Sequence, residues 1–101
     1  MNDSARTPRP VVVVTGMGVV TSLGSGKADN WAALTAGRSG IRRITRFPTE
    51  HLKTTIAGMV DFLPSSNNGA GALTAELAET AAGEAVAQAG ISGEFGGPLF
   101  L

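Results

Sequence analysis

Cysteine and tyrosine are absent from this sequence of 101 residues, which also has a single tryptophan and a single histidine, His51. Without cysteine the chain forms no disulfide, offers no thiolate to a metal ion and has no cysteine nucleophile. Charged residues make up only 16% of the chain, against about 25% in a typical globular domain. The chain has 8 Lys and Arg residues and 8 Asp and Glu residues, so its formal net charge is zero. No net electrostatic field therefore favours binding to nucleic acid or to an anionic surface.

Apolar residues make up 43% of the chain, which indicates one small ordered domain with a thin core. We expect no cofactor, no metal site, no nucleic acid and no membrane partner. Arg6 and Arg9 precede an uncharged stretch, Pro10 to Gly26, that has some features of a signal peptide. The stretch is too short for a membrane span and polar residues interrupt it, so a cytoplasmic protein is the better interpretation.

The first half of the chain predicts an arm, a buried strand and a short helix. Residues 1–8 are polar and contain proline, which is typical of a flexible N-terminal arm, and a folded domain is predicted over residues 9–101. The β-branched run Val11 to Val14 predicts a strand covered on both faces, as in a parallel or mixed sheet. After Gly24, Ser25 and Gly26 break the chain, a helix is expected to end at Ala36 with Gly37 as its stop.

The second half predicts a strand and a long helix between irregular segments. Residues 38–53 contain four arginines and no helical period, which indicates an irregular excursion. Residues 54–62 alternate well enough for a strand, residues 63–71 predict a loop, and residues 72–90 predict a helix. "GGPLFL" at the end begins like a strand. The helix is expected to bury one apolar stripe: Leu73, Leu77, Ala78, Ala81, Ala82, Ala85, Val86 and Ala89. Its polar residues are expected to form a solvated face: Glu76, Glu79, Thr80, Glu84 and Gln88.

The stretch "VVVVTGMGVVTSLGSGK" suggests a dinucleotide-binding loop, which needs three glycines in the pattern G-x-G-x-x-G. Gly16 and Gly18 match the first two, but Thr21 stands where the third glycine is required. The dinucleotide template therefore fails.

The same stretch also resembles a phosphate-binding P-loop, G-x-x-x-x-G-K-[ST], in which a hydroxyl meets magnesium. Gly26 and Lys27 fit, whereas Thr21 replaces the first glycine and Ala28 replaces the hydroxyl residue. The favoured interpretation is architectural: glycines let the chain leave a buried strand where a side chain would clash.

Five blocks, in order, carry a resemblance to a known family: "VVVVTGMGVVTSLG", "WAALTAGRSGI", "ITRF", "IAGMVDF" and a helix ending "AVAQAGI". Together they resemble the N-terminal segment of the β-ketoacyl-acyl carrier protein synthases, the condensing enzymes of fatty-acid and polyketide synthesis. The resemblance covers most of Arg9 to Ile91. It implies an α/β chain forming the N-terminal part of a thiolase-like fold, a mixed sheet packed by helices, which is incomplete in these residues.

The resemblance also implies what this chain lacks. Family members use a cysteine that carries the acyl thioester and two histidines that assist decarboxylation and stabilise an oxyanion, all beyond the matched segment. His51 matches neither histidine and is expected in a surface loop, so no residue of this chain is assigned a catalytic, cofactor-binding or metal-binding role. For the full-length enzyme the expected partners are acyl carrier protein, an acyl thioester and a second copy in a homodimer.

An alternative is a non-catalytic α/β module that binds a partner through the loop from Arg38 to Lys53. Family members of the fatty-acid type often carry basic residues at the start of the helix after the second strand, where an acidic carrier protein docks, whereas "PSSNNGAGALTAE" has none. The loop arginines could supply a substitute patch, although such residues are more often solvated or paired locally.

Overall fold

Two small β-hairpins and two helices are formed along residues 9–100, the part of the chain that the computed structural model describes. The predicted arm at residues 1–8 and the terminal Leu101 lie outside the described residues. The elements in chain order are β1 (Val20–Thr21), β2 (Gly24–Ser25), α1 (Lys27–Thr35), β3 (Ile41–Arg43), β4 (Ile56–Gly58), a 3₁₀ helix (Pro64–Asn67) and α2 (Ala70–Gln88).

The first hairpin runs directly into α1. Strands β1 and β2 pair antiparallel, with Val20 opposite Ser25. Gly26, at φ 94°, is the N-cap of α1, and this left-handed backbone conformation favours glycine. The predicted end of this helix is confirmed to within one residue. Helix α1 ends at Thr35, Ala36 is its C-cap, and Gly37 follows at φ 71°.

The first strand of the second hairpin lies near the start of residues 38–53, which were predicted to be irregular, so the prediction is wrong there. Strand β3 pairs antiparallel with β4, with Ile41 opposite Gly58 and Arg43 opposite Ile56. The predicted strand at residues 54–62 is confirmed only as the three residues of β4. A run of three residues shows no periodicity of its own, and pairing with β4 is what makes residues 41–43 a strand.

The long helix is confirmed within two residues of its predicted bounds. Helix α2 spans Ala70–Gln88, and Gly90 at φ 75° lies just beyond its C-cap, Ala89. The predicted loop before it contains the 3₁₀ helix, whose buried Ser66 accepts a hydrogen bond from the Leu63 N–H (3.1 Å) and donates one to the Val60 carbonyl (3.3 Å). These bonds order a segment whose composition alone indicated only a turn.

The backbone of the glycine segment, defined here as residues 15–26, lies directly against α2. A Cβ added at Gly16 would lie under 3.0 Å from the carbonyl oxygen of Ala85, and one added at Gly18 would meet the Ala81 carbonyl equally closely. Real Cβ atoms do not approach backbone oxygens that closely, so both positions require glycine. The architectural interpretation of these glycines is therefore supported, with a helix as the surface that excludes the side chain.

The predicted buried strand at Val11–Val14 is wrong for this structure. The four residues form no strand and are between 68 and 91% exposed. β-Branched residues favour extended backbone, but a strand also needs partners for its N–H and C=O groups, and no strand within residues 9–100 pairs with this run. The described part of "GGPLFL" likewise forms no strand, and Phe100 is 87% exposed.

The structure is therefore a small α/β arrangement with two separate antiparallel hairpins, and the expected mixed sheet is absent from residues 9–100. Its buried apolar residues are few: Ala33, Met59 and Leu73. The radius of gyration is 18.8 Å, against about 13 Å for a compact domain of this length. Many large apolar side chains stay exposed as a result.

We expect the isolated chain to be marginally stable, because so little apolar surface is buried to offset the entropy lost on ordering the backbone. Thermal unfolding followed by far-UV circular dichroism should be broad, and a dye that binds exposed apolar surface should bind at 25 °C. A sharp two-state transition in the monomer would contradict this expectation.

Substitution of Gly18 by Ala should weaken the docking of the glycine segment on α2 by about 1–3 kcal/mol, because the new methyl group overlaps the Ala81 carbonyl. Gly83→Ala is the matched control: Gly83 lies inside α2 with nothing within 4 Å of an added Cβ, and Ala there should stabilise the helix by about 0.5–1 kcal/mol. Urea denaturation of both variants measures the difference. Equal shifts in the same direction would show that the close approach has no energetic role.

Candidate functional site

The polar centre of the molecule is a carboxylate of α2 that holds both ends of the first hairpin. Glu84 Oε1 accepts a hydrogen bond from the Val19 N–H (3.0 Å), and its Oε2 accepts one from the Lys27 N–H (2.9 Å). The Lys27 ammonium lies 3.2 Å from the same Oε2. Val19 immediately precedes β1 and Lys27 begins α1, so one side chain fixes the entry and the exit of the hairpin.

A second contact lies one helical turn further along α2. Gln88 Oε1 accepts a hydrogen bond from the Met17 N–H (2.8 Å), and the Lys27 ammonium donates to the Met17 carbonyl (2.7 Å). Residues i and i+4 of a helix lie on one face, which is why Glu84 and Gln88 reach successive parts of the glycine segment. We call Lys27, Glu84 and Gln88 the clamp.

Hydrogen bonding lowers the pKa of Glu84 below its ordinary value. The Lys27 N–H is the largest cause, followed by the Val19 N–H, and partial desolvation opposes them. Hydrogen bonds from backbone N–H groups stabilise the charged form of a carboxylate. At neutral pH the carboxylate of the clamp is therefore ionised.

These contacts correct the predicted solvated face of α2. Glu84 and Gln88 bind the glycine segment, and Glu76 Oε1 accepts a hydrogen bond from the Ser65 N–H (2.7 Å), although Gln88, like Glu79, is exposed as expected. Of the predicted apolar stripe, Ala78 and Ala82 are exposed, whereas the other six residues are buried or half-buried, as predicted. Where α2 meets the glycine segment, the N–H groups of the segment need acceptors, so Glu84 and Gln88 bind there beside the half-buried Ala81 and Ala85.

Asn30 is a buried polar residue that sequence reasoning missed. Its Nδ2 donates to the carbonyls of Gly24 (3.0 Å) and Gly26 (2.8 Å), and its Oδ1 is hydrogen-bonded to the Thr21 hydroxyl. Thr21 Oγ1 in turn accepts a bond from the Leu23 N–H (3.0 Å). Thr21, the position where both nucleotide templates fail, therefore has a structural role that glycine could not fill.

The geometry accounts for the likeness to a phosphate loop. Phosphate-binding loops present backbone N–H groups and a lysine at a helix N-terminus to an anion. Here the N–H of Lys27 at the start of α1 and the amine of Lys27 both face a carboxylate of the same chain. The donors that would receive a phosphate are already engaged by Glu84.

An apolar groove of about 810 Å³ opens on the other side of the glycine segment. Its large apolar lining residues include Met17, Leu23, Trp31, Leu34 and Ile41. The polar residues Thr21, Ser22, Lys27 and Asn30 also line it, and Thr21, Lys27 and Asn30 are bonded within the protein. We assign the groove no chemistry.

The arginine-rich loop is partly paired within the molecule. Arg42 Nη2 lies 3.0 Å from Asp61 Oδ2 and donates to the Met59 carbonyl (3.4 Å), and the Arg42 hydrogen bond lowers the pKa of Asp61. Arg46 Nη2 donates to the Val60 carbonyl (2.8 Å). Two of the four arginines are therefore held locally, as expected for such residues. This weakens the alternative of a partner-binding loop.

The remaining sequence-based expectations concern His51, metal and membrane. His51 is exposed in the connection between β3 and β4, as predicted for a loop residue. Within residues 9–100 no group of three or more His, Cys, Asp or Glu side chains is placed to hold a metal ion. Neither helix in the described part of the chain combines the length and the apolar character that crossing a membrane requires.

Comparison with known proteins identifies the family. Residues 9–85 match the family described as "Beta-ketoacyl synthase, N-terminal domain". The chain is 51% identical over 55 residues to 3-oxoacyl-(acyl-carrier-protein) synthase 2 of Coxiella burnetii, covering 54% of this chain and 13% of that protein. It is 47% identical over 49 residues to the protein of the same name from Vibrio cholerae, covering 48% of this chain and 12% of that protein.

Similarity extends to polyketide enzymes. The tetracenomycin polyketide synthase ketoacyl synthase alpha subunit of Streptomyces glaucescens is 45% identical over 53 residues, which cover 52% of this chain and 12% of that protein. The chain belongs to the β-ketoacyl synthase family, as the match over residues 9–85 establishes. The matched segments, each about half of this chain, cover about an eighth of the length of these relatives.

Nucleotides should neither bind the glycine segment nor raise the melting temperature, because Glu84 occupies the donors that a phosphate would need. Thermal unfolding with and without millimolar ATP or NAD tests this, since a ligand well above its Kd measurably stabilises the state that binds it. A reproducible upward shift would count against the architectural interpretation.

Proposed function

We propose that this chain is the N-terminal part of a β-ketoacyl-acyl carrier protein synthase. The enzyme would condense an acyl thioester with a malonyl group on a carrier protein, with loss of carbon dioxide, in fatty-acid or polyketide synthesis. The observation that supports the proposal most directly is the family match over residues 9–85, together with relatives named as synthases of both kinds.

In this proposal the residues of this chain are scaffold. The close approach of Gly16 and Gly18 to α2 and the clamp hold the segment that leads from Val11–Val14 into the first hairpin. We propose that the four valines become a strand of a thiolase-like mixed sheet when further elements supply partners for their backbone. Residues 9–101 would then be a partial domain, and residues 1–8 a flexible arm.

The chemistry would lie outside this chain. Decarboxylative condensation needs a thiolate to carry the acyl group and donors for the developing oxyanion. The 101 residues contain no cysteine, and the one histidine, His51, is exposed in the β3–β4 connection. The partners proposed for the complete enzyme are acyl carrier protein and a second copy in a homodimer, and the proposed location is the cytoplasm.

The chain alone should not condense an acyl thioester with a malonyl thioester, because it has no cysteine to form the acyl-enzyme. We also expect activity from a chimera in which residues 9–85 of this chain replace the corresponding segment of the Coxiella burnetii synthase. Condensation measured with an acyl thioester and malonyl carrier protein tests both parts.

Two variants of the chimera provide the controls. Gly18→Val should abolish condensation together with folding, because the side chain overlaps the Ala81 carbonyl, whereas Gly83→Ala should leave activity unchanged. A folded but inactive parent chimera would contradict the proposed role as an exchangeable scaffold. Turnover of malonyl thioester by the chain alone would contradict the assignment of the chemistry to other residues.

A further inference from the structure

Three donors converge on the carboxylate of Glu84: the N–H groups of Val19 and Lys27 and the ammonium of Lys27. Each carboxylate oxygen accepts one backbone N–H, so both oxygens must act as acceptors. A protonated carboxyl group has one hydroxyl oxygen, whose proton would face a donor, and it loses the ion pair with Lys27. The arrangement fits the ionised carboxylate alone.

We propose that Glu84 is a charge-dependent latch, which keeps the first hairpin and α1 docked on α2 only while its carboxylate is ionised. One side chain can control the docking of the whole hairpin because its two backbone partners, Val19 and Lys27, flank the hairpin on either side. The Gly26 N–H donates to the Val19 carbonyl (2.8 Å), so the two ends of the hairpin meet where Glu84 binds. Release of this one carboxylate frees both ends together.

The other docking contacts carry no charge that titrates in acid. Gln88 binds the Met17 N–H through an amide oxygen, and Gly16 and Gly18 pack against helix backbone. They align the segment on α2, and Glu84 alone among the α2 side chains that bind it changes charge as the pH falls.

The charged surroundings of Glu84 are simple. Lys27 on α1 is the only charged side chain within ion-pair distance of it in residues 9–100, and β1 and β2 carry no charged residue. Asp29, also in the first turn of α1, lies against Gly24. On α2 the residues one turn before and after Glu84 are Thr80 and Gln88, which are uncharged. The pH dependence of docking should therefore reflect the protonation of the Glu84 carboxylate itself.

The direction of the pH dependence follows from the lowered pKa of Glu84. Docking that depends on the ionised form is fully present above the ordinary glutamate pKa of about 4.3, and it is lost as the pH falls through the lower pKa of the docked state. The latch should therefore open in acid, at a pH below the ordinary glutamate pKa.

Amide NMR of the isotopically labelled chain tests the latch. The Val19 and Lys27 amide signals should shift together with a midpoint below about 4.3, and at neutral pH both amides should exchange with solvent about tenfold more slowly than in Glu84→Gln. Glu79→Gln is the matched control, because Glu79 is exposed on the same helix, and it should leave both amides unchanged.

The pH titration of the unsubstituted chain does not depend on whether Glu84→Gln folds. A midpoint at or above the ordinary glutamate value would overturn the proposal. So would equal exchange of the Val19 and Lys27 amides in the unsubstituted chain and in Glu84→Gln at neutral pH, including the case in which neither amide is protected. Loss of the acid transition in Glu84→Gln, with its retention in Glu79→Gln, would support the latch.

Discussion

The close approach of the glycine segment to α2 is the constraint on which the rest of the structure depends. Gly16 and Gly18 have no side chain, and α2 presents Ala81 and Ala85, so backbone meets backbone with little between them. At that distance a glutamate or glutamine one turn away on the helix reaches the N–H groups of the segment directly. Larger residues at either glycine would separate the two surfaces and leave those N–H groups without protein acceptors.

The clamp also explains why a structural loop carries features of a nucleotide-binding one. Both kinds of loop must satisfy clustered backbone N–H groups near a helix N-terminus, and an anion does so most effectively. A nucleotide-binding loop leaves the site open for phosphate. Here Glu84 and Lys27 supply the anion and its counter-charge from within the chain, and Thr21 and Asn30 use their side chains to hold the turn.

Features with local causes were predictable from the sequence. The end of α1 at Ala36 and Gly37 and the extent of α2 follow from helix propensity and from glycines that adopt positive φ. Features that depend on distant partners were not. The four valines favour an extended backbone, yet they form no strand without a partner, whereas the arginine-rich residues 41–43 form one because β4 lies beside them.

By itself, therefore, the sequence determined the two helices, the architectural role of its glycines and the family to which the chain belongs, since each rests on residue types at short spacing. Only the tertiary structure decided which face of α2 is used. Alanines and glutamates share that helix, and composition favoured burial of the alanines. The partner surface is backbone whose N–H groups need acceptors, so Glu84 and the exposed Gln88 bind it beside the half-buried Ala81 and Ala85, while Ala78 and Ala82 stay in solvent.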